Sequence, residues 1–198
     1  MSDRKNTDET RKRLLDHGVA LMLMNGYRGA GLADILKAAQ VPKGSFYYYF
    51  ESKEAFGTEA IAHYLAPFLR RVGERLREPG KNGLDALAAY FRELAGELEA
   101  NGFKGGCLLG NLMGEIADAS PASRAALKQG VDHYRDLLAE GLARAQTEGV
   151  ARKDRSTRAM ADLLIDGWQG AMLRMKIEQS AAPLHAFIEE TLLGYCGA

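Results

Sequence analysis

A chain of 198 residues has room for one domain of ordinary size, or for a small one joined to a larger one. Its 46% hydrophobic and 26% charged residues are those of a globular protein and exclude a disordered one. The net charge is zero but unevenly placed: residues 1–53 hold nine Lys/Arg against six acids, a net of +3, which leaves −3 on the remainder. A basic head on an acidic body suffices to attract a polyanion, because binding needs only a local positive field.

No apolar run is long enough to cross a bilayer; the longest near the start is Val19 to Met24, and it lacks the small-residue pattern of a signal peptide. The expectation is a cytoplasmic protein. Two cysteines, Cys107 and Cys196, are too few for a disulfide scaffold and should be thiols.

The whole sequence reads as helix, since no alternating Val/Ile/Thr-rich segment of strand length occurs. A first helix starts at Thr7 or Thr10, carries apolar Leu14, Leu15, Ala20, Leu21 and Met22, and stops at Asn25-Gly26, two residues that tolerate left-handed backbone. A short second helix fits Leu32 to Ala39, with Ile35, Leu36 and Ala39 as its stripe. Pro42 disfavours helical geometry at Val41, so the chain breaks there before a third helix from Gly44 to Phe50. A long helix and then two short ones across a tight turn make a helix-turn-helix candidate. Further helices are expected at about 53–77, 84–99, 107–118, 122–147, 156–179 and 184–194. Breaks fall at 78–80, 102–106, 118–121, 148–149 and 180–183, with Ser120 and either Asp154 or Ser156 as caps.

The third helix contains "SFYYYF". At 100° per residue Phe46 and Phe50 point together and belong to the core. So short a helix cannot bury Tyr47, Tyr48 and Tyr49 in one small core, and at least two should face outward. Tyrosine hydroxyls, Ser45, the amides at the helix start and the ammoniums of Lys43 and Lys53 are groups that contact phosphates. Lys43 also reaches guanine acceptors, and tyrosine rings pack on thymine methyls. An aromatic surface for another protein is the alternative on composition alone; the basic head favours DNA.

The stretch "GLADILKAAQVPKGSFYYYFESKEAF", residues 31–56, closely resembles the DNA-binding signature of the TetR family of transcriptional repressors, and the helix order agrees along the chain. That resemblance implies an all-α homodimer with a three-helix DNA-binding domain at 1–52. An effector-binding and dimerisation domain would follow at 53–198, about nine helices in all, dimerising through the last two. It places Lys43, Gly44, Ser45, Tyr47, Tyr48, Tyr49 and Lys53 at the family's DNA-contacting positions. Gly31 departs from the threonine that often opens the second helix, so a hydroxyl contact to phosphate is lost there and only the backbone amide remains. For the dimer, Leu164, Trp168, Ala171 and Met175 repeat at helical spacing beside Gly167 and Gly170; packing within the chain is the alternative. A twofold dimer would read a near-palindromic operator with half-sites about 34–36 Å apart.

A second informative stretch is "FKGGCLLGNLMGEIAD", 103–118. Cys107 opens a helix, whose N-terminus stabilises a thiolate, and Lys104 adds positive charge; a small buried hydrophobe is the alternative. With "GWQGAMLRMKIEQSAAPLHAF", 167–187, the segment resembles a TetR subgroup that responds to reactive electrophiles, oxidants or small unsaturated acids. The N-ethylmaleimide reductase repressor and the acrylate-utilisation repressor are among its members. By that resemblance Cys107 and Lys176 match the subgroup's cysteine and lysine positions, with Arg174 near Lys176. Phe103, Met113 and Trp168 are pocket walls or simply core, and Cys196 has no such context. A non-covalent hydrophobic pocket is the alternative effector site. Either would act by shifting the long helix 53–77 and spoiling the spacing of the recognition helices.

An enzyme and a helical protein-interaction adaptor are the rivals from other classes. His17, His63, His133 and His185 are scattered over different helices without metal-ligand spacing, and no nucleophile motif or phosphate-cradling loop occurs. No cofactor and no metal are expected, and a thiol-dependent enzyme built on Cys107 lacks a resolving partner.

Overall fold

The computed structural model describes residues 2–118 and 120–198, and the side chains from Thr7 onward. Ala119 in the expected break at 118–121, and the side chains of Arg4 and Lys5 in the basic head, lie outside the described residues. The described chain is all-α. Its helices are α1 (Ser2–Gly29), α2 (Leu32–Ala38), α3 (Phe46–Tyr49), α4 (Lys53–Leu76), α5 (Gly83–Ala100), α6 (Leu108–Ile116), α7 (Pro121–Thr147), α8 (Thr157–Glu178) and α9 (Ala182–Ala186). A 3₁₀ turn, Lys43–Ser45, leads into α3, and α9 runs on as a π-helix, Phe187–Tyr195.

The breaks follow backbone chemistry. Gly80, Gly102 and Gly149 adopt φ of 87°, 64° and 78°, left-handed values that glycine takes without strain. Ser156, rather than Asp154, caps α8 by accepting the Ala159 amide, and Ser120 Oγ accepts the Ser123 amide at the head of α7. Three elements differ from the sequence expectation. Helix α1 begins at Ser2, ahead of Thr7 or Thr10, and continues to Gly29 beyond the expected stop at Asn25-Gly26, where Gly26 alone is non-helical (φ 73°, ψ 174°). The third helix is half 3₁₀, because the Ser45 amide bonds back to Pro42 O, and Phe50 leaves it in extended geometry (φ −140°, ψ 133°). The last helix is split between α and π geometry.

The chain forms two compact units. The first comprises residues 1–67 and 107–130; the second comprises 68–106 and 131–198. In the first, Leu14, Met22, Ile35, Phe46, Phe56, Ile61, Leu108 and Leu112 are fully buried. Close helix approach there depends on glycine. A Cβ on Gly130 would lie 2.6 Å from Leu65 Cδ1, and one on Gly57 would lie 2.7 Å from Tyr27 Cε2. The joint between α4 and α7 is polar: Thr58 Oγ1 and Ser123 Oγ share a hydrogen bond of 3.0 Å, and Ser120 Oγ donates to Glu54.

In the second unit Phe91, Trp168 and Phe187 form a ring cluster with centroids 4.9–5.3 Å apart, a spacing at which aromatic pairs attract beyond their buried area. Tyr90 and Tyr134 share a buried hydroxyl bond of 3.2 Å. Arg71 and Arg75 both bind Glu93, at 2.8 and 2.9 Å. The C-terminus is pinned by the Ala198 amide on Val150 O (3.2 Å) and the Arg152 amide on Cys196 O (3.1 Å).

Among the described residues no helix is long and apolar enough to cross a membrane, and no His/Cys/Asp/Glu group is placed to hold a metal.

Candidate nucleic-acid interface and sensor thiol

Gly31 caps α2 in extended conformation (φ −67°, ψ 142°) without a side-chain bond, and its amide already donates to Gly29 O at 3.1 Å. The backbone amide expected to be left for phosphate is therefore engaged within the chain. Gln40, at φ 55°, ends α2, and the Val41 amide folds back to Leu36 O at 2.9 Å. Pro42 then starts the 3₁₀ turn that aims α3.

On α3 the phenylalanines are anchors. Phe46 and Phe50 are 1% and 2% exposed and pack on Phe56 at 5.6 and 4.8 Å. The same helix turns Tyr47 and Tyr48 to solvent at 70% and 73% exposure, while Tyr49 is half-buried, edge-on to Tyr48 at 5.0 Å. Lys43 and Gly44 are exposed just ahead of them, and Ser45 is half-buried. Lys43, Gly44, Tyr47 and Tyr48 thus share one short exposed stretch. At Gly44 a Cβ would meet nothing within 4 Å, and its φ is not left-handed. Nothing in the chain's own fold requires glycine there.

Lys53 is placed differently from the others. It is half-buried, with Nζ 3.3 Å from Tyr27 O and 4.8 Å from the centre of the Tyr27 ring; the Tyr27 hydroxyl in turn donates to Lys53 O at 3.3 Å. Burial, with the nearby Glu54 carboxylate, raises the Tyr27 hydroxyl pKa, which keeps it a donor. Sequence reading missed Tyr27; the Gly-Tyr pair at 26–27 was its only signal.

Cys107 is half-buried and caps α6, its carbonyl accepting the Asn111 amide at 3.0 Å. Gly105 and Gly106 before it have φ of 80° and 109°, and Phe103, not a glycine, sits at 61°. On α6, Leu108, Leu109, Leu112 and Ile116 are buried and Met113 is 36% exposed. Cys107 and Met113 belong to the first unit; Phe103, Trp168 and Lys176 belong to the second. Trp168 is a member of the ring cluster, and Lys176 is half-buried in the last turn of α8. Arg174 is exposed and pairs with Glu178 at 2.8 Å. A cleft of about 250 Å³ in the second unit is lined by Gly73, Leu76, Arg77, Leu137, Glu140, Gly141 and Arg144, none of them a predicted sensor residue. Cys196 is fully buried; burial pushes its thiol up to about 11, against a smaller opposite pull from Arg152.

One expectation is corrected. Leu164, Trp168, Ala171 and Met175 are not an open seam for a second copy: they are 0%, 3%, 8% and 0% exposed within the chain. Gly167 admits the Phe187 ring, where a Cβ would lie 3.0 Å from Cε2. The open apolar side of α8 is the opposite one, with Leu163, Leu173 and Ile177 at 39%, 64% and 82%, and Gly170 facing empty space.

Residues 14–60 match the model of the bacterial regulatory proteins of the tetR family, and residues 83–191 match the tetracyclin repressor-like C-terminal domain. The chain is 36% identical over 182 residues to the HTH-type transcriptional repressor DhaR of Mycobacterium sp. (strain GP1), covering 90% of this chain and 88% of that one. It is 35% identical over 174 residues to the transcriptional regulator AcuR of Cereibacter sphaeroides, covering 88% and 80%. Its fold is similar to the crystal structure of reduced NemR from E. coli, with a TM-score of 0.85 and 34% identity over 92% of this chain and 95% of that one. On these matches the chain belongs to the TetR family of bacterial regulatory proteins, DNA-binding transcriptional repressors rather than enzymes.

Proposed function

We propose that this chain works in the cytoplasm as a homodimer that reads a near-palindromic operator through its domain at residues 1–52, together with Lys53 at the start of the next one. Lys43, Gly44, Ser45, Tyr47, Tyr48, Tyr49 and Lys53 form the contact set, and residues 53–198 hold the effector and the dimer contact. The observation that carries the reading is the opposition on α3, where Phe46 and Phe50 are buried while Tyr47 and Tyr48 stand 70% and 73% exposed beside Lys43 and Gly44. Two large rings held outward by a buried anchor, next to a cation and an unobstructed backbone, supply phosphate and base-edge contacts together. The dimer forms through the open side of α8, where Leu163, Leu173 and Ile177 would otherwise stay in water.

Release comes from a small electrophile, oxidant or unsaturated acid at the effector domain, with Cys107 as the sensor thiol. With an α,β-unsaturated carbonyl compound the Cys107 thiolate adds to the β-carbon and the α-carbon takes up a proton, so nothing leaves and no oxidant is needed. The support is the subgroup's cysteine position and the half-buried seat of Cys107 at the head of α6. An anisotropy titration with the DNA flanking the protein's own gene tests it, with and without N-ethylmaleimide. Saturable, salt-sensitive binding that alkylation reverses in wild type but leaves undiminished in Cys107→Ser is the expected result. Undiminished release from Cys107→Ser eliminates the thiol, and no binding at low salt eliminates the DNA-reading face.

A further inference from the structure

We propose that Glu115 is the residue by which α6 holds the DNA-reading helices in position, working through a break in α1 at Gly26. The inference rests on the DNA-binding reading and adds a positioning residue to it.

Gly26 has φ 73° and ψ 174°, and that geometry interrupts the i→i−4 ladder of α1; a short turn restarts beyond it, with the Ala30 amide on Gly26 O at 3.1 Å. The break leaves backbone groups on either side in need of partners, and α6 provides for both. Glu115 accepts the Arg28 amide on Oε2 at 3.2 Å. One helical turn earlier on the same face, Asn111 Nδ2 donates to Leu23 O at a longer 3.5 Å. A donor and an acceptor spaced i, i+4 on α6 therefore meet an acceptor and a donor flanking the break. Gly26 is favoured by its left-handed φ, and a Cβ there would displace the Glu115 carboxylate from its place.

The segment that Glu115 grips is the one that sets the reading head. Tyr27 carries Lys53 on its ring and carbonyl and bonds Lys53 O through its hydroxyl, fixing the start of α4. Three residues beyond Arg28, Gly31 opens α2. A displacement of α6 by an ångström or so stretches a 3.2 Å hydrogen bond past its useful range, and the α2 and α4 starts lose their common anchor together. Glu115 does not touch the DNA in this scheme; it positions residues that do.

Operator affinity and amide exchange are measured on the full-length dimer as wild type, Glu115→Ala, Glu115→Gln and Gly26→Ala. Glu115→Ala is expected to raise Kd roughly tenfold with an unchanged salt slope, since no phosphate contact is lost. Glu115→Gln retains one carbonyl oxygen, which a turn of the carboxamide brings to the place of Oε2, and should stay within about threefold of wild type. Exchange of the Arg28 amide should quicken about tenfold in the alanine variant and not in the glutamine one. Gly26→Ala should reproduce the Glu115→Ala loss, and combining the two should add little. Wild-type operator affinity in Glu115→Ala, or unaltered Arg28 exchange, overturns the assignment. If wild type itself fails to bind DNA, the DNA reading falls alone, and the Arg28 exchange of the alanine and glutamine variants still decides whether Glu115 holds the break.

Discussion

Gly44→Ala separates folding from DNA binding in one variant. Within the chain the new methyl meets nothing within 4 Å and the backbone is not left-handed, so no strain arises. Replacing glycine at a compatible position lowers the entropy of the unfolded chain, which stabilises by about 0.4–1 kcal/mol. For a domain of this size that moves Tm upward by roughly 1–4 °C. Against DNA the sign reverses. A methyl on the approaching face holds the turn off the phosphate by about the length of a carbon–carbon bond, weakening a charge-assisted hydrogen bond of about 1.5–3 kcal/mol. A twofold dimer carries the defect at both half-sites, so about 3 kcal/mol or more is lost, on the order of a hundredfold in Kd. The assays are thermal unfolding at fixed protein concentration, because an oligomer's Tm depends on it, and an operator anisotropy titration at fixed salt. A variant as stable as wild type that binds operator equally well refutes the close approach at Gly44. A variant destabilised by more than about 1 kcal/mol refutes the claim that the fold leaves this position free.

Leu173→Glu combined with Ile177→Glu places charge on the open side of α8, where the side chains are 64% and 82% exposed. Sedimentation should show a folded monomer with sharply weaker operator binding, and an intact dimer would move the interface elsewhere. In native protein at pH 8, N-ethylmaleimide followed by mass spectrometry should label Cys107 and spare Cys196, whose thiol stays protonated because burial lifts it to about 11. Labelling of both without denaturant would contradict the burial of Cys196. Burial opposes ionisation of Glu93, but hydrogen bonds from Arg75 and Arg71 outweigh it and its pKa is lowered. A depressed carboxylate contributes stability above its unfolded pKa of about 4.3 and loses it as pH falls through the folded value. Denaturant melts from pH 5 to pH 2 should therefore be shallower for Glu93→Gln than for wild type; parallel curves would show that the pairs with Arg71 and Arg75 add nothing.

Much of this architecture was legible from local pattern. The alternation on α3 follows from a 100° rotation per residue, so Phe46 and Phe50 had to share a side that Tyr48 could not. The helix breaks at Gly80, Gly102 and Gly149 follow from the conformations that glycine alone takes freely. The TetR signature at 31–56 was legible for the same reason, because its residues are neighbours in the chain. What tertiary structure decided lies between elements far apart in sequence. Helix α8 is apolar on two sides, and its own residues do not say which one is covered. Phe91 and Phe187 settle that by packing on Trp168, leaving Leu173 and Ile177 outside. Lys53 reads as a free cation until Tyr27, 26 residues earlier, is found beneath it. Glu115 reads as an ordinary helical acid until its partner proves to be the Arg28 amide, 87 residues away. Periodicity determines which residues share a side of a helix, but whether that side meets another helix or water depends on the packing of the whole chain.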